Sequence, residues 1–167
     1  MRTLMILGVF GALVVSLSAC GGSSAGSASE QEDTQRQADL YAIGQIQKTF
    51  HKALSKKDIE LMMSVWAPNA TITVGPGQTL AGMTKIRDHW LNSKPFQPRI
   101  HWVSETPSYK TRSTANGDKG TLFFECHMID TKTAKAVAVS GADVLVAKID
   151  GRWLITSFVG ATGTLSP

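Results

Sequence analysis

The side chains best suited to chemistry in this sequence are His101 and Asp143. An imidazole gains and loses a proton near neutral pH, so His101 could serve as acid or base. Asp143 lies in SGADVLVAKIDGRWLITSFVG, Ser140 to Gly160, where strand alternation puts it on one face with Leu145 and Phe158. Apolar company of that kind raises a carboxyl pKa and makes the group a proton donor. If the two side chains met, they would form an acid–base pair for a lyase or isomerase working without metal or cofactor. The competing readings are structural: a histidine satisfied by a backbone carbonyl, and an aspartate capping an amide at a strand end. The other histidines are weaker candidates. His127 alternates out of step with Leu122, Phe124, Cys126 and Met128, so it faces away from any core they form. His89, beside Trp90 on a helix, could line a cavity mouth or simply lie on the surface. His51 adjoins Lys52 and reads as exposed.

Several chemistries are excluded. No HxH, CxxC or HExxH spacing is present, and a zinc site built from His101, Cys126, His127 and Asp143 would need residues from opposite strand faces. No Gly-rich phosphate loop opens a helix, since Gly75-Pro76-Gly77 follows a strand, and no nucleophile elbow occurs. The formal charge of +4 is too mild to argue for nucleic acid. Lys48, Lys52 and Lys56, spaced four apart, make a basic helix stripe of the kind usually left to solvent. Near a membrane such a stripe would attract anionic headgroups weakly.

The elements that must position these residues begin with the Ser140–Gly160 stretch. Asp150-Gly151 is a two-residue loop that favours positive φ at both positions, so it predicts a tight antiparallel hairpin with Ile149 facing Arg152. Both faces of that hairpin are largely apolar and should be covered, one by helices and the other by a second subunit. Ahead of it, Leu40, Ile43, Ile46, Phe50, Ala53 and Leu54 recur at helical spacing and predict a helix from about Thr34 to Ser55. Asp58 caps a second helix carrying Leu61, Met62, Val65 and Trp66, ended by Pro68-Asn69. A short hairpin turns at Gly75-Pro76-Gly77, and a third helix runs from about Met83 to Ser93. Strands follow: about Ile100 to Ala115 with Pro107 at a bulge or edge, Lys119–Asp130, Ala134–Lys148 with a bend at Gly141, and Arg152–Gly160. Helices followed by antiparallel strands give an α+β order.

The N-terminus carries an address. Arg2, the apolar run Leu4 to Leu17 and Leu17-Ser18-Ala19-Cys20 form a signal peptide, and small residues before the Cys resemble a bacterial lipoprotein box with Cys20 lipidated. The division that follows is 1–19 signal peptide, 20–36 lipidated Cys and flexible tether, and 37–167 a single domain. The expected place is the cell envelope, outside the cytoplasm, on the periplasmic face if the host is Gram-negative. With Cys20 acylated, Cys126 has no disulfide partner and reads as a small core residue.

The helix pair ending in Lys56-Lys57-Asp58, the phrase VWAPNATITV, Gly82-Met83-Thr84-Lys85-Ile86, His101 ahead of Pro107, Gly117-Asp118 and ADVLVAKIDGRW together resemble the SnoaL-like branch of the nuclear-transport-factor-2-like superfamily. The resemblance spans about Asp39 to Phe158. It implies a cone-shaped curved antiparallel sheet wrapped around three N-terminal helices, with a pocket between helices and sheet. Strand register would then point His101 and Val103 into that pocket, while Phe50, Trp66, Trp90, Phe124 and Phe158 read mostly as core, some of them able to line its walls. The family's ketosteroid isomerases carry a Tyr and an Asp where Phe50 and Val74 stand here, and only Asp143 falls near their second Asp. Its scytalone-type dehydratases are matched at His101, but Leu54-Ser55 replaces their Tyr-Asp pair. Three functions stay open: binding of a small apolar molecule without catalysis, a lyase or isomerase using His101 and Asp143, and a homodimeric interaction module with a filled cone.

Overall fold

A computed structural model describes residues 24–98, 101–105 and 110–162. Its elements are α1 (Ser24–Lys56), α2 (Ile59–Met63), β1 (Trp66–Thr73), β2 (Thr79–Ala81), α3 (Met83–Asn92), β3 (Trp102–Glu105), β4 (Arg112–Asn116), β5 (Lys119–Asp130), β6 (Lys135–Ile149) and β7 (Arg152–Thr162). The α+β class is as expected, a curved sheet with helices on its concave side. The sheet order is β2-β1-β7-β6-β5-β3, with β4 also paired to β5. All neighbours are antiparallel except β1 and β7, which run parallel. That pair departs from the wholly antiparallel sheet expected, because it joins the first strand to the last and leaves no local signal.

Helix α1 is about 50 Å long by its 33 residues. It starts at Ser24 rather than Thr34, so residues 24–36 of the segment expected as a flexible tether are helical. Residues 28–38 are exposed throughout, and Glu, Gln and Arg carry the helix outward by propensity alone. Packing begins at Asp39, followed by the buried stripe Ile43, Ile46, Phe50, Ala53 and Leu54. The Asp39 carboxylate accepts from Trp153 Nε1 and Lys148 Nζ, both at 2.9 Å, and from Gln35 Nε2 at 3.2 Å. The Trp153 bond first, then Lys148, holds its pKa below the usual carboxylate value.

Helix α2 is a single turn. Asp58 Oδ1 accepts from the Leu61 amide at 2.9 Å, the cap expected. Trp66, however, belongs to β1 and not to the helix. Pro68-Asn69 is not the helix stop but lies in an irregular stretch of β1, exposed, between the Trp66↔Ile155 and Thr71↔Ser157 pairings with β7. Proline, lacking a donor, is tolerated at such a break. The long strand expected from Ile100 to Ala115 is instead two short ones, β3 and β4, each paired with β5.

The hairpin at Asp150-Gly151 forms as the loop chemistry requires, with φ of 49° and 76° and Ile149 opposite Arg152. Its register changes farther along. Leu145 pairs with Ser157 but Val146 with Ile155, so Thr156 is bulged and its Oγ1 donates to the Leu145 carbonyl at 3.1 Å. A bulge flips the faces beyond it. Phe158 therefore enters the core opposite Val144, while Asp143 stays outside with Leu145 and Val159.

Gly120 of β5 leaves no room for a side chain between β4, α1 and β6. A Cβ there would lie 2.4 Å from the Thr114 carbonyl oxygen, 3.0 Å from Ile43 Cδ1 and 3.2 Å from Val146 Cγ2. Gly to Ala in a compatible site stabilises by about 0.4–1 kcal/mol through the unfolded chain. Here a backbone atom blocks the methyl, so Gly120→Ala is expected to destabilise by about 1–3 kcal/mol in urea melts. A neutral or stabilising result would show that β4 yields.

Candidate functional site

Helix α1, the C-terminal half of α3 and the concave faces of β1, β5, β6 and β7 enclose a cavity of about 310 Å³. Its wall is largely apolar, with an aromatic cluster where large side chains from four elements converge. Phe50 is the hub: it stacks on Phe158 at 5.5 Å between centroids and meets Trp90 and Phe124 edge-on, each at 5.2 Å. Such pairs prefer offset or edge-to-face geometry. Ile72, Leu54, Met128 and Ala142 complete the apolar lining, and Thr73, Gly75, His89, Pro95, Ser140 and Gly160 also border it. No Asp, Glu, Lys or Arg lines the cavity.

Cys126 also lines the cavity, on its β5 wall. Its Sγ is in hydrogen-bond contact with His51 Nε2, and His51 Nδ1 meets Gln47 Nε2 at 2.6 Å. Burial drives the His51 pKa down to about 4, with the His127 charge adding to it. Burial pushes the Cys126 thiol up to about 12, opposed by the nearby Ser104 and reinforced by the Glu125 charge. Both groups are therefore neutral at physiological pH. Moving a proton from thiol to imidazole is strongly uphill, so the pair is a neutral hydrogen-bonding point rather than an activated thiolate.

Outside the strand from Cys126, the Glu125 carboxylate is 2% exposed, bonded to His127 Nε2 and 3.8 Å from Lys110 Nζ. A buried carboxylate needs such partners. Among the described residues, no three His, Cys, Asp or Glu side chains converge as a metal site would require.

The structure redistributes the residues singled out from sequence. Phe50, Trp90, Phe124 and Phe158 line the cavity. Trp66 stands behind them, buried against Phe158 and Trp90, and does not reach the lining. His101 and Val103 point the other way. Ser104 is buried, its amide accepted by Ser55 Oγ of α1 at 2.8 Å, so Trp102 and Ser104 take the inner face and leave His101 and Val103 outside. His101 Nε2 lies 3.0 Å from Asp130 Oδ1 at the sheet edge and is 38% exposed. Asp143 is exposed on the outer face, in a groove it shares with Arg112, Leu145 and Val159. His101 and Asp143 therefore form no pair, and neither borders the cavity. Cys20 lies outside the described residues. A filled cone is likewise at odds with a cavity of this size.

His51 is the residue that sequence reasoning missed, being buried rather than exposed. The available signal was its place beside Phe50 in the stripe Ile43, Ile46, Phe50, Leu54, which widens to admit Gln47 and His51. A nuclear-transport-factor-2-like protein with a cystatin-like fold from Novosphingobium aromaticivorans superposes with TM-score 0.68 at 12% identity, covering 87% of this chain and 94% of that one. A nuclear-transport-factor-2-like protein of unknown function from Pseudomonas putida gives 0.65 at 15%, covering 75% and 87%. A protein put forward as a ketosteroid isomerase from Shewanella frigidimarina gives 0.58 at 21%, covering 72% and 94%. At these identities the likeness is one of fold, and no curated protein matches the sequence. The signature of the SnoaL-like domain matches residues 46–155, more than half the chain, and the chain belongs to that family.

Proposed function

We propose that this chain is a membrane-anchored extracytoplasmic lipoprotein whose SnoaL-like domain binds a small, largely apolar, uncharged molecule in the cavity. One observation carries the binding reading: about 310 Å³ of space is walled by rings and aliphatic side chains with no charged residue on the lining. Pockets of that size and character are where small ligands bind. A charged ligand would lose its hydration there without gaining a partner. Catalysis is not required, since the cavity's buried polar pair is neutral and His101 and Asp143 are turned away. The anchor rests on the Leu17-Ser18-Ala19-Cys20 sequence, and no helix among the described residues is long and apolar enough to cross a membrane. The outer sheet face, where Leu145 is 55% and Val159 46% exposed, is the surface for a homodimer.

The test is native mass spectrometry of the domain purified from its host, with membrane fractionation of the full chain. The expected results are a small bound mass lost in Phe158→Trp, which fills the cavity, a dimer, and release from membranes in Cys20→Ala. A domain with no bound mass that also ignores added naphthalene would overturn the binding reading.

A further inference from the structure

The cavity does not end at its mouth. Val74 and His89 border both the apolar interior and a second, shallower groove running outward between the β1–β2 hairpin and α3. The His89 ring stands edge-on to Trp90, 5.3 Å between centroids, so one helix turn supplies the last ring of the interior and the first polar group outside it. Beyond His89 the lining changes character: Gln78, Lys85, Asp88 and Asn92 replace the aromatic wall. Lys85 and Asp88 are three apart on α3, both exposed, so their opposite charges offset one another at the groove. A net charge on the ligand gains little there, whereas hydroxyl or amide groups find both donors and acceptors.

From this continuity of an apolar chamber with a polar, charge-balanced groove we infer that the ligand is an amphiphile. Its apolar body is about the size of two fused rings, and its uncharged, hydrogen-bonding head lies in the groove past His89. This deepens the binding reading proposed above and rests on it. The body's size follows from volume: a dry cavity of about 150 Å³ holds benzene, and this one is about twice as large. A two-chain membrane lipid does not fit.

The probes are naphthalene, 2-naphthyl β-glucoside and 2-naphthyl phosphate, titrated by fluorescence into the wild-type domain and into the Gln78→Ala/Asn92→Ala double variant. Both altered side chains are on the surface, so the variant folds, and its naphthalene affinity serves as the control. In wild type the glucoside binds about tenfold tighter than naphthalene, the gain of two modest hydrogen bonds. In the double variant that gain disappears while naphthalene binding is kept. Equal affinity for naphthalene and glucoside in wild type would sink the amphiphile inference and leave the cavity reading standing. Preference for the phosphate overturns the uncharged head. No binding by any probe removes the cavity reading itself.

Discussion

Phe50→Ala is expected to cost about 3–5 kcal/mol of stability, the loss found when a buried aromatic side chain is deleted from a core. Phe50 is 2% exposed and touches Trp90, Phe124 and Phe158 from a single position on α1. The ring's removal forfeits its own burial and the edge-to-face and stacked contacts at once. The neighbours close the gap poorly, because each is itself anchored on a different element. At roughly 2–4 °C per kcal/mol for a domain of this size, the midpoint of thermal unfolding falls by about 6–20 °C. Tyr41→Ala is the control on the same helix: Tyr41 is 69% exposed and its loss stays within about 0.5 kcal/mol. Urea melts of the two variants make the comparison. A Phe50→Ala cost below about 1 kcal/mol would mean that the aromatic hub does not hold α1 to the sheet.

The parts of this architecture legible in the sequence are those set by local chemistry. Asp150-Gly151 announces its hairpin because positive φ at two successive positions has few other solutions. Asp58 announces its cap because the bond closes within three residues. The apolar spacing of α1 announces its buried face. The failures share another cause, namely that each depends on a partner far along the chain. His51 looks exposed beside Lys52 until Cys126, 75 residues later, is brought against it. The inward side of β3 cannot be read from His101-Trp102-Val103-Ser104, where apolar residues fall on both faces. It is fixed by Ser55 of α1 bonding to Ser104. One bulged residue, Thr156, sends Phe158 into the core and leaves Asp143 outside, undoing an otherwise correct register. The proton-transfer pair was lost to these two parities, not to the choice of residue types.

Acidification should expose the buried imidazole. His51 has a folded pKa near 4 against 6.5 in the unfolded chain, because burial disfavours its charged form. Between those values the unfolded state binds the extra proton, so stability rises with pH across the window and is lost as pH falls through it. The contribution is intact above about pH 6.5, most of it, about 3 kcal/mol, is gone by pH 4.5, and the loss levels off below pH 4. His89 is also depressed by burial and adds a smaller slope of the same sign in this window. Asp39 acts differently: its depressed carboxyl stabilises the fold above its unfolded value and loses that only at lower pH, below about 4. The two effects therefore separate on the pH axis. His51→Gln keeps a polar group between Gln47 and Cys126 but cannot titrate. It starts less stable at pH 7, and its urea midpoint should fall far less than the wild-type one from pH 7 to pH 4.5. Equal slopes in the two proteins would mean that water reaches His51 and that the inner wall of the cavity is wetter than its neutral thiol–imidazole contact implies.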